Sequence, residues 1–174
     1  MDQDIIHNLI RKSLNGDLKS FEALIDEYQD QIFRLTLGIV KNHAMSQEIT
    51  QDVFVKSWKY LHKYDFKYNF KSWLYKIAVN ESLNTLKKTR VFEEYDENIH
   101  VIESDTDEID TLKLNKLNLA LAKLSQDQRI IIQLKHFENF TYKEISQILD
   151  VSEKTVKSRL YSARMVLRND IKDN

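Results

Sequence analysis

The chain has 174 residues, 42% hydrophobic and 30% charged, with 26 Lys and Arg against 27 Asp and Glu for a formal net charge of −1. That length suits one average domain or two small ones, and the composition is neither fibrous nor broadly disordered. Cysteine is absent, which excludes disulfides, thiol nucleophiles and cysteine-based metal sites, and no apolar run reaches the roughly eighteen residues a membrane span needs.

The opening Met1-Asp2-Gln3-Asp4 is acidic where a secretory signal would be basic, so a cytoplasmic location is expected. Proline is also absent, and glycine occurs only at Gly16 and Gly38. Sheets and their tight turns use more of both. An all-α fold of helices joined by short polar connections follows.

In chain order, Ile5, Ile6, Leu9, Ile10 and Leu14 keep helical spacing, and Gly16-Asp17 reads as the end of one helix and the N-cap of the next. Phe21, Leu24, Ile25, Tyr28, Ile32, Leu35 and Ile39 continue an apolar stripe, and Asn42-His43-Ala44 breaks it. A further helix is predicted from about Ser46 to His62, with Ile49, Val53, Phe54, Trp58 and Leu61 on one side. Another runs from near Phe70 to about Lys88. The first half therefore reads as a compact bundle of about four helices.

Charge then changes abruptly. Residues 91–112 hold nine acidic residues and no Lys or Arg, between two mildly basic segments. Such a block reads as a solvated, flexible linker. Beyond it, Ser125-Gln126-Asp127-Gln128 and Thr141-Tyr142-Lys143-Glu144 each have the form of a capping box. The first opens a helix through Ile130, Ile131, Leu134 and Phe137. The second opens a short helix through Ile145, Ile148 and Leu149. Asp150-Val151-Ser152 is a tight turn, with aspartate where glycine is common, and Val156, Leu160, Ala163 and Leu167 form a narrow stripe on a last helix. A short capped helix, a turn and a longer helix make a helix-turn-helix.

Two surfaces carry chemistry. The last helix presents Lys154, Thr155, Lys157, Ser158, Arg159, Tyr161, Arg164 and Arg168 opposite its apolar stripe, with Ser152 placed to cap it. The first turns of a recognition helix reach base edges in a major groove, where Arg and Lys pair with guanine or phosphate. A solvated basic face is the plain alternative, which the one-signed charge and the preceding turn disfavour. The second surface is Tyr64, Phe66, Tyr68, Phe70, Trp73 and Tyr75, interleaved with Lys63, Lys67, Lys71 and Lys76. Aromatics among lysines suit unpaired bases stacked above a neutralised backbone. Two other readings compete: the strict alternation of Tyr64 to Lys71 resembles a half-buried strand, and the rings are also core material, as expected of Trp73 and at least one of Phe66 and Phe70. The five histidines are scattered and no phosphate loop or nucleophile motif occurs, so no metal, no cofactor and no enzyme activity is expected.

Three motifs in order carry a resemblance. Gly16-Asp17 through Phe21-Glu22, Gln51-Asp52-Val53-Phe54-Val55-Lys56-Ser57-Trp58, and Phe70-Lys71-Ser72-Trp73-Leu74-Tyr75-Lys76-Ile77-Ala78-Val79-Asn80 look like domain two of a sigma-70 family transcription factor. Leu124-Ser125 through Arg168 looks like domain four. The layout, with no domain one or three, is similar to the extracytoplasmic-function group. Departures are Ser125, where many members have proline, and Ser46-Gln47-Glu48, less acidic than the usual run. The resemblance implies two small helical domains, 5–90 and 112–170, joined by an acidic linker, 91–111. It implies a factor without an active site that takes core RNA polymerase to promoters and helps melt the −10 element. It also implies docking on the clamp helices of the largest polymerase subunit through Glu48, Gln51, Asp52, Phe54 and Trp58, and contact with the flap of the second largest. Lys67, Tyr68, Asn69, Trp73, Lys76, Asn80, Asn84 and Lys87 are its expected −10 contacts. Ser152, Lys154, Thr155, Lys157, Ser158, Arg159 and Arg164 are its expected −35 contacts. The linker would thread the polymerase channel, and a cognate anti-sigma factor is an expected partner. A stand-alone helix-turn-helix regulator of duplex DNA is the first rival, and a nuclease the second.

Overall fold

The computed structural model describes the backbone of residues 1–95 and 123–172 and the side chains of 1–89 and 123–168. These residues fall in two compact units, one within Met1–His100 and one within Val101–Asn174. Among them every regular element is helical. The expected acidic linker from residue 96, and the first part of the expected second domain up to 122, lie outside the described residues.

The first unit contains α1 (Gln3–Leu14), α2 (Leu18–Val40), α3 (His43–Tyr60), a single 3₁₀ turn (Leu61–Lys63) and α4 (Phe70–Tyr95). The central helix is α2, which packs on α1, α3 and α4. Ile10, Leu24, Ile32, Leu35, Ile39, Val53, Leu74 and Ala78 are buried between these helices. Each large aliphatic side chain so buried stabilises the fold by roughly 1.5–3 kcal/mol. Ser46, Ser57 and Ser82 are fully buried too, and their hydroxyls donate to carbonyls three or four residues back in their own helices, which satisfies them at close helix contacts.

The turn between α1 and α2 is as expected. Gly16 adopts φ +91°, and Asp17 accepts hydrogen bonds from the Lys19 amide and the Ser20 hydroxyl. The Ser20 bond comes first among the interactions that lower the pKa of Asp17. Two boundaries differ. α3 begins at His43, because Asn42, taken as part of a break, caps it by accepting from the Met45 amide at 2.9 Å. α4 runs past Lys88 to Tyr95, since no glycine or proline stops it, so the first residues of the expected linker are helical. The strand alternative for Tyr64 to Lys71 is also corrected. These residues form a turn and the start of α4, as an isolated strand has nothing to pair with.

The second unit contains α5 (Gln126–Ile132), which continues as one π-helical turn (Gln133–Phe137), then α6 (Tyr142–Leu149) and α7 (Glu153–Lys172). Both predicted capping boxes are present, reciprocal in each case. Ile130, Ile131, Leu134, Ile145, Ile148, Val156, Leu160 and Ala163 make the core. Phe137 departs from the predicted stripe and is 65% exposed. The π turn widens the helix there, with the Glu138 amide donating to the Gln133 carbonyl five residues back, so the 3.6-residue periodicity fails by about one position. Asp150 adopts the left-handed conformation (φ 56°) expected at the turn position where glycine is common. Unfolding of this unit, followed by circular dichroism in urea, should show Thr141→Ala less stable by about 1 kcal/mol through loss of the cap. Ile145→Ala should cost about 2–5 kcal/mol through loss of core packing.

Candidate nucleic-acid interface

On α3, residues 46, 49, 50, 53, 54 and 57 turn inward, and Glu48, Gln51, Asp52, Val55, Trp58 and Lys59 lie exposed along the opposite side. Four of the five expected polymerase contacts share this face. Phe54 does not: it is 8% exposed and belongs to the core, one position away from the outer stripe. Val55, absent from the expected set, takes that place in the exposed row. Trp58 is held edge-on against Phe21 of α2, with ring centroids 4.8 Å apart. A Lys56–Glu81 ion pair ties α3 to α4.

Between the 3₁₀ turn and α4, the six-ring run sorts itself by burial. Tyr64, Phe70 and Tyr75 are buried, while Phe66 and Trp73 are half-buried. Tyr64 is the hub, edge-on to Phe66, Phe70 and Trp73 at 5.2 to 5.6 Å. Burial pushes its phenol pKa up to about 12, so it stays a neutral donor, and its hydroxyl donates to the Tyr68 carbonyl. Tyr68 is left 52% exposed, held on a turn in which its amide donates to the Asp65 carbonyl. Lys67 lies beside it, also exposed, with its amide bonded to the Asp65 carboxylate.

Asn69, expected as a base contact, is the cap of α4: its Oδ1 accepts from the Lys71 amide at 2.8 Å. From there Trp73, Lys76, Asn80, Asn84 and Lys87 follow one another at steps of three and four along a single stripe of α4. Asn80, Asn84 and Lys87 are exposed, and Lys76 is half-exposed. Each amide offers both donors and acceptors to a base edge.

On α7 the Ser152 hydroxyl accepts from the Thr155 amide at 3.1 Å and lies 2.8 Å from its hydroxyl, so two expected contacts first serve as the cap. Lys154, Ser158 and Tyr161 run down the middle of the outward face, all exposed. The cations on its flanks have partners within the unit. Lys157 lies over the Tyr142 ring (5.6 Å), Arg164 hydrogen-bonds His136 (3.2 Å), and on the opposite flank Arg159 pairs with Asp127 of α5 (3.0 Å). Among the described residues no group of acidic or histidine side chains is arranged to hold a metal ion, and no helix is long and apolar enough to cross a membrane.

Two family models match the chain, sigma-70 region 2 over residues 24–91 and sigma-70 region 4 over residues 114–167, most of its length between them. The chain belongs to the sigma-70 family. It is similar to the ECF RNA polymerase sigma factor SigW of Bacillus subtilis, 26% identical over 97% of this chain and 98% of that one. It is also similar to the ECF RNA polymerase sigma-E factor of Escherichia coli K12, 28% identical over 94% and 92%. Among solved structures it shares the fold of the sigma factor RpoE of Bartonella quintana, in complex with the anti-sigma factor NepR (TM-score 0.78, 24% identity, 88% of this chain and 98% of that). It shares it too with CnrH in complex with the cytosolic domain of CnrY (TM-score 0.75, 21% identity, 99% of each). The chain is thus a sigma factor of the ECF group, which directs RNA polymerase to promoters, and the stand-alone regulator is not favoured.

Within this sigma factor, Tyr161, named on the outward face of the last helix, was not among the expected −35 contacts. It is 68% exposed at the centre of the α7 face. Its spacing from Lys154 and Ser158, seven and three residues, was the available signal. Asp127 also escaped notice, because a carboxylate in a capping box reads as structural. His136 carries an electrostatic consequence: partial desolvation first, then the charges of Arg164 and Lys135, hold its pKa below the ordinary 6.5. The unfolded chain therefore binds the proton more readily than the folded one. Stability of this unit should fall as pH drops from about 6.5 through the lowered value, and His136→Gln should remove that part of the dependence. Thermal unfolding of both proteins at about pH 7.5 and 5.5 reads the difference.

Proposed function

We propose that the sigma factor divides promoter recognition between domains 5–90 and 112–170, joined by 91–111, and that it works in the cytoplasm without an active site of its own. The first domain docks on the clamp helices of the largest polymerase subunit through Glu48, Gln51, Asp52, Val55 and Trp58. It then captures the melted −10 element with Tyr68 and Lys67, along the stripe of Trp73, Lys76, Asn80, Asn84 and Lys87. The second domain contacts the polymerase flap and reads the −35 duplex with Ser152, Lys154, Thr155, Lys157, Ser158, Arg159, Tyr161 and Arg164. A cognate anti-sigma factor is a further partner, as in the solved relatives. The single observation that carries this reading is the exposed Tyr68 ring at the head of the Asn80–Asn84 stripe. A protein that only bound duplex DNA would have no use for it, whereas an extruded base needs a stacking partner and an edge reader.

The test is run-off transcription with added core polymerase on a promoter library. Transcripts that depend on the added chain and share −35 and −10 sequences are expected. Duplex binding without stimulated transcription supports the regulator instead. Asp52→Lys should weaken core binding by about one to two orders of magnitude, through repulsion at the dock. A pull-down that shows unchanged affinity, with helicity intact, removes α3 from the interface. Replacing Lys157 or Arg159 with alanine should cost about 1–3 kcal/mol where the side chain pairs with a base. If it meets phosphate, all sequences weaken alike and the salt dependence flattens. Normal transcription by both variants from a promoter with an essential −35 element would exclude the assignment.

A further inference from the structure

α1 lies outside the stretch, residues 24–91, that matches sigma-70 region 2. Its contacts nevertheless converge on the loop that carries Tyr68. His7 and Arg11, one helical turn apart, share a face of α1. The His7 ring is edge-on to Phe66 at 5.1 Å, and the Arg11 guanidinium lies over the same ring at 5.2 Å from its centre. His7 Nε2 is also 3.3 Å from the Tyr64 hydroxyl, whose proton goes to the Tyr68 carbonyl. Nε2 accepts from the Gln3 side-chain amide at 2.9 Å, so His7 meets Tyr64 by ring packing, centroids 6.3 Å apart, while the Tyr64 hydroxyl carries the bond to the Tyr68 backbone. Phe66 and Tyr68 flank Lys67, so the loop is held on both sides of the residue between them.

We propose that α1 is a clamp on the base-capture loop, in which His7 and Arg11 are positioning residues that fix Tyr64 and Phe66 and thereby hold the Tyr68 ring out for an extruded base. The inference rests on the proposed role of Tyr68 and adds the device that keeps its loop in place. A loop of short polar and aromatic residues outside any helix would otherwise sample many conformations, and each opening event would have to reorder it. The clamp does that ordering in advance. It touches no DNA itself, so its contribution belongs to melting and not to duplex binding or to the polymerase dock.

The test uses the full chain with core polymerase and permanganate reactivity of the −10 thymines, on a duplex promoter and on one with a pre-melted bubble. Tyr64→Phe keeps the ring and removes the bond to the Tyr68 carbonyl. His7→Ala removes the ring packed against Phe66 and Tyr64, and Arg11→Ala, at an exposed position, keeps the test available should His7→Ala fail to fold. Each should slow opening of the duplex about 3- to 10-fold, recover on the bubble, and add nothing in a Tyr68→Ala background. Wild-type opening by all three, with Tyr68→Ala defective, overturns the clamp and leaves the stacking role standing. Equal defects on duplex and bubble, or defects that add to Tyr68→Ala, also overturn it, since they mark general damage to the domain. Wild-type opening by Tyr68→Ala overturns the stacking role and the clamp with it.

Discussion

A chain of helices with no proline and two glycines must start and stop those helices with side chains. The first-turn amides of a helix have no partner within it, and leaving them unmet inside a compact fold is costly. Among the described residues every α-helix after α1 begins on a short polar residue whose oxygen takes one of those amides: Asp17, Asn42, Asn69, Ser125, Thr141 and Ser152. The chain turns after α2, after the π turn and after α6 on residues in the left-handed conformation, Lys41, Asn139 and Asp150. These caps fix where each helix begins, and therefore which residues face outward. Moving the start of α7 by one residue would rotate Lys154, Ser158 and Tyr161 by about 100° and turn a different face to solvent.

That dependence explains how much of the fold was legible. Capping boxes are local, so Ser125–Gln128 and Thr141–Glu144 could be read directly from the sequence, and the helix-turn-helix followed. The core residues of α2 were legible because a stripe at steps of three and four has one reading. What was not legible lay where the period changes or a cap looks like a break. Asn42 appeared to interrupt a helix that it starts. The π turn of Gln133–Phe137 moved Phe137 from the predicted core to the surface, and no sequence pattern announces a change from four to five residues per hydrogen-bonded turn. The extension of α4 to Tyr95 ran against a charge argument, which describes solvation and not backbone conformation.

The candidate site was legible in outline and mixed in detail for a related reason. Aromatic residues serve core and base stacking equally well, so the run from Tyr64 to Tyr75 could not be divided by composition. The division comes from geometry. Tyr64 packs against three other rings and fixes the loop, and only Tyr68 is left well exposed. Polar residues share the ambiguity between capping and recognition. Asn69 and Ser152 were expected to meet DNA, yet the oxygen of each is engaged by a helix start. Phe54 and Val55 show the same limit at one-residue scale, since adjacent positions on a helix differ by about 100° and only Val55 lies on the exposed face.

The flanks of α7 carry the same dependence to the proposed −35 surface. A one-signed helix face binds any phosphate backbone, and affinity of that kind carries no sequence information. On this face the central row of Lys154, Ser158 and Tyr161 is exposed, while Lys157, Arg159 and Arg164 rest on a ring, a carboxylate and an imidazole supplied by α5, its π turn and α6. None of these partners is deeply buried, so each holds its cation weakly and can yield it to a stronger acceptor. Held in this way, a long side chain loses less rotamer freedom on meeting DNA. The Asp127 carboxylate also offsets part of the positive charge that indiscriminate binding would draw on. In the proposed reading, the same packing that closes the core of this unit restrains its cations, so the first-turn residue Asp127 and the π-turn residue His136 belong to the recognition surface as much as to the fold.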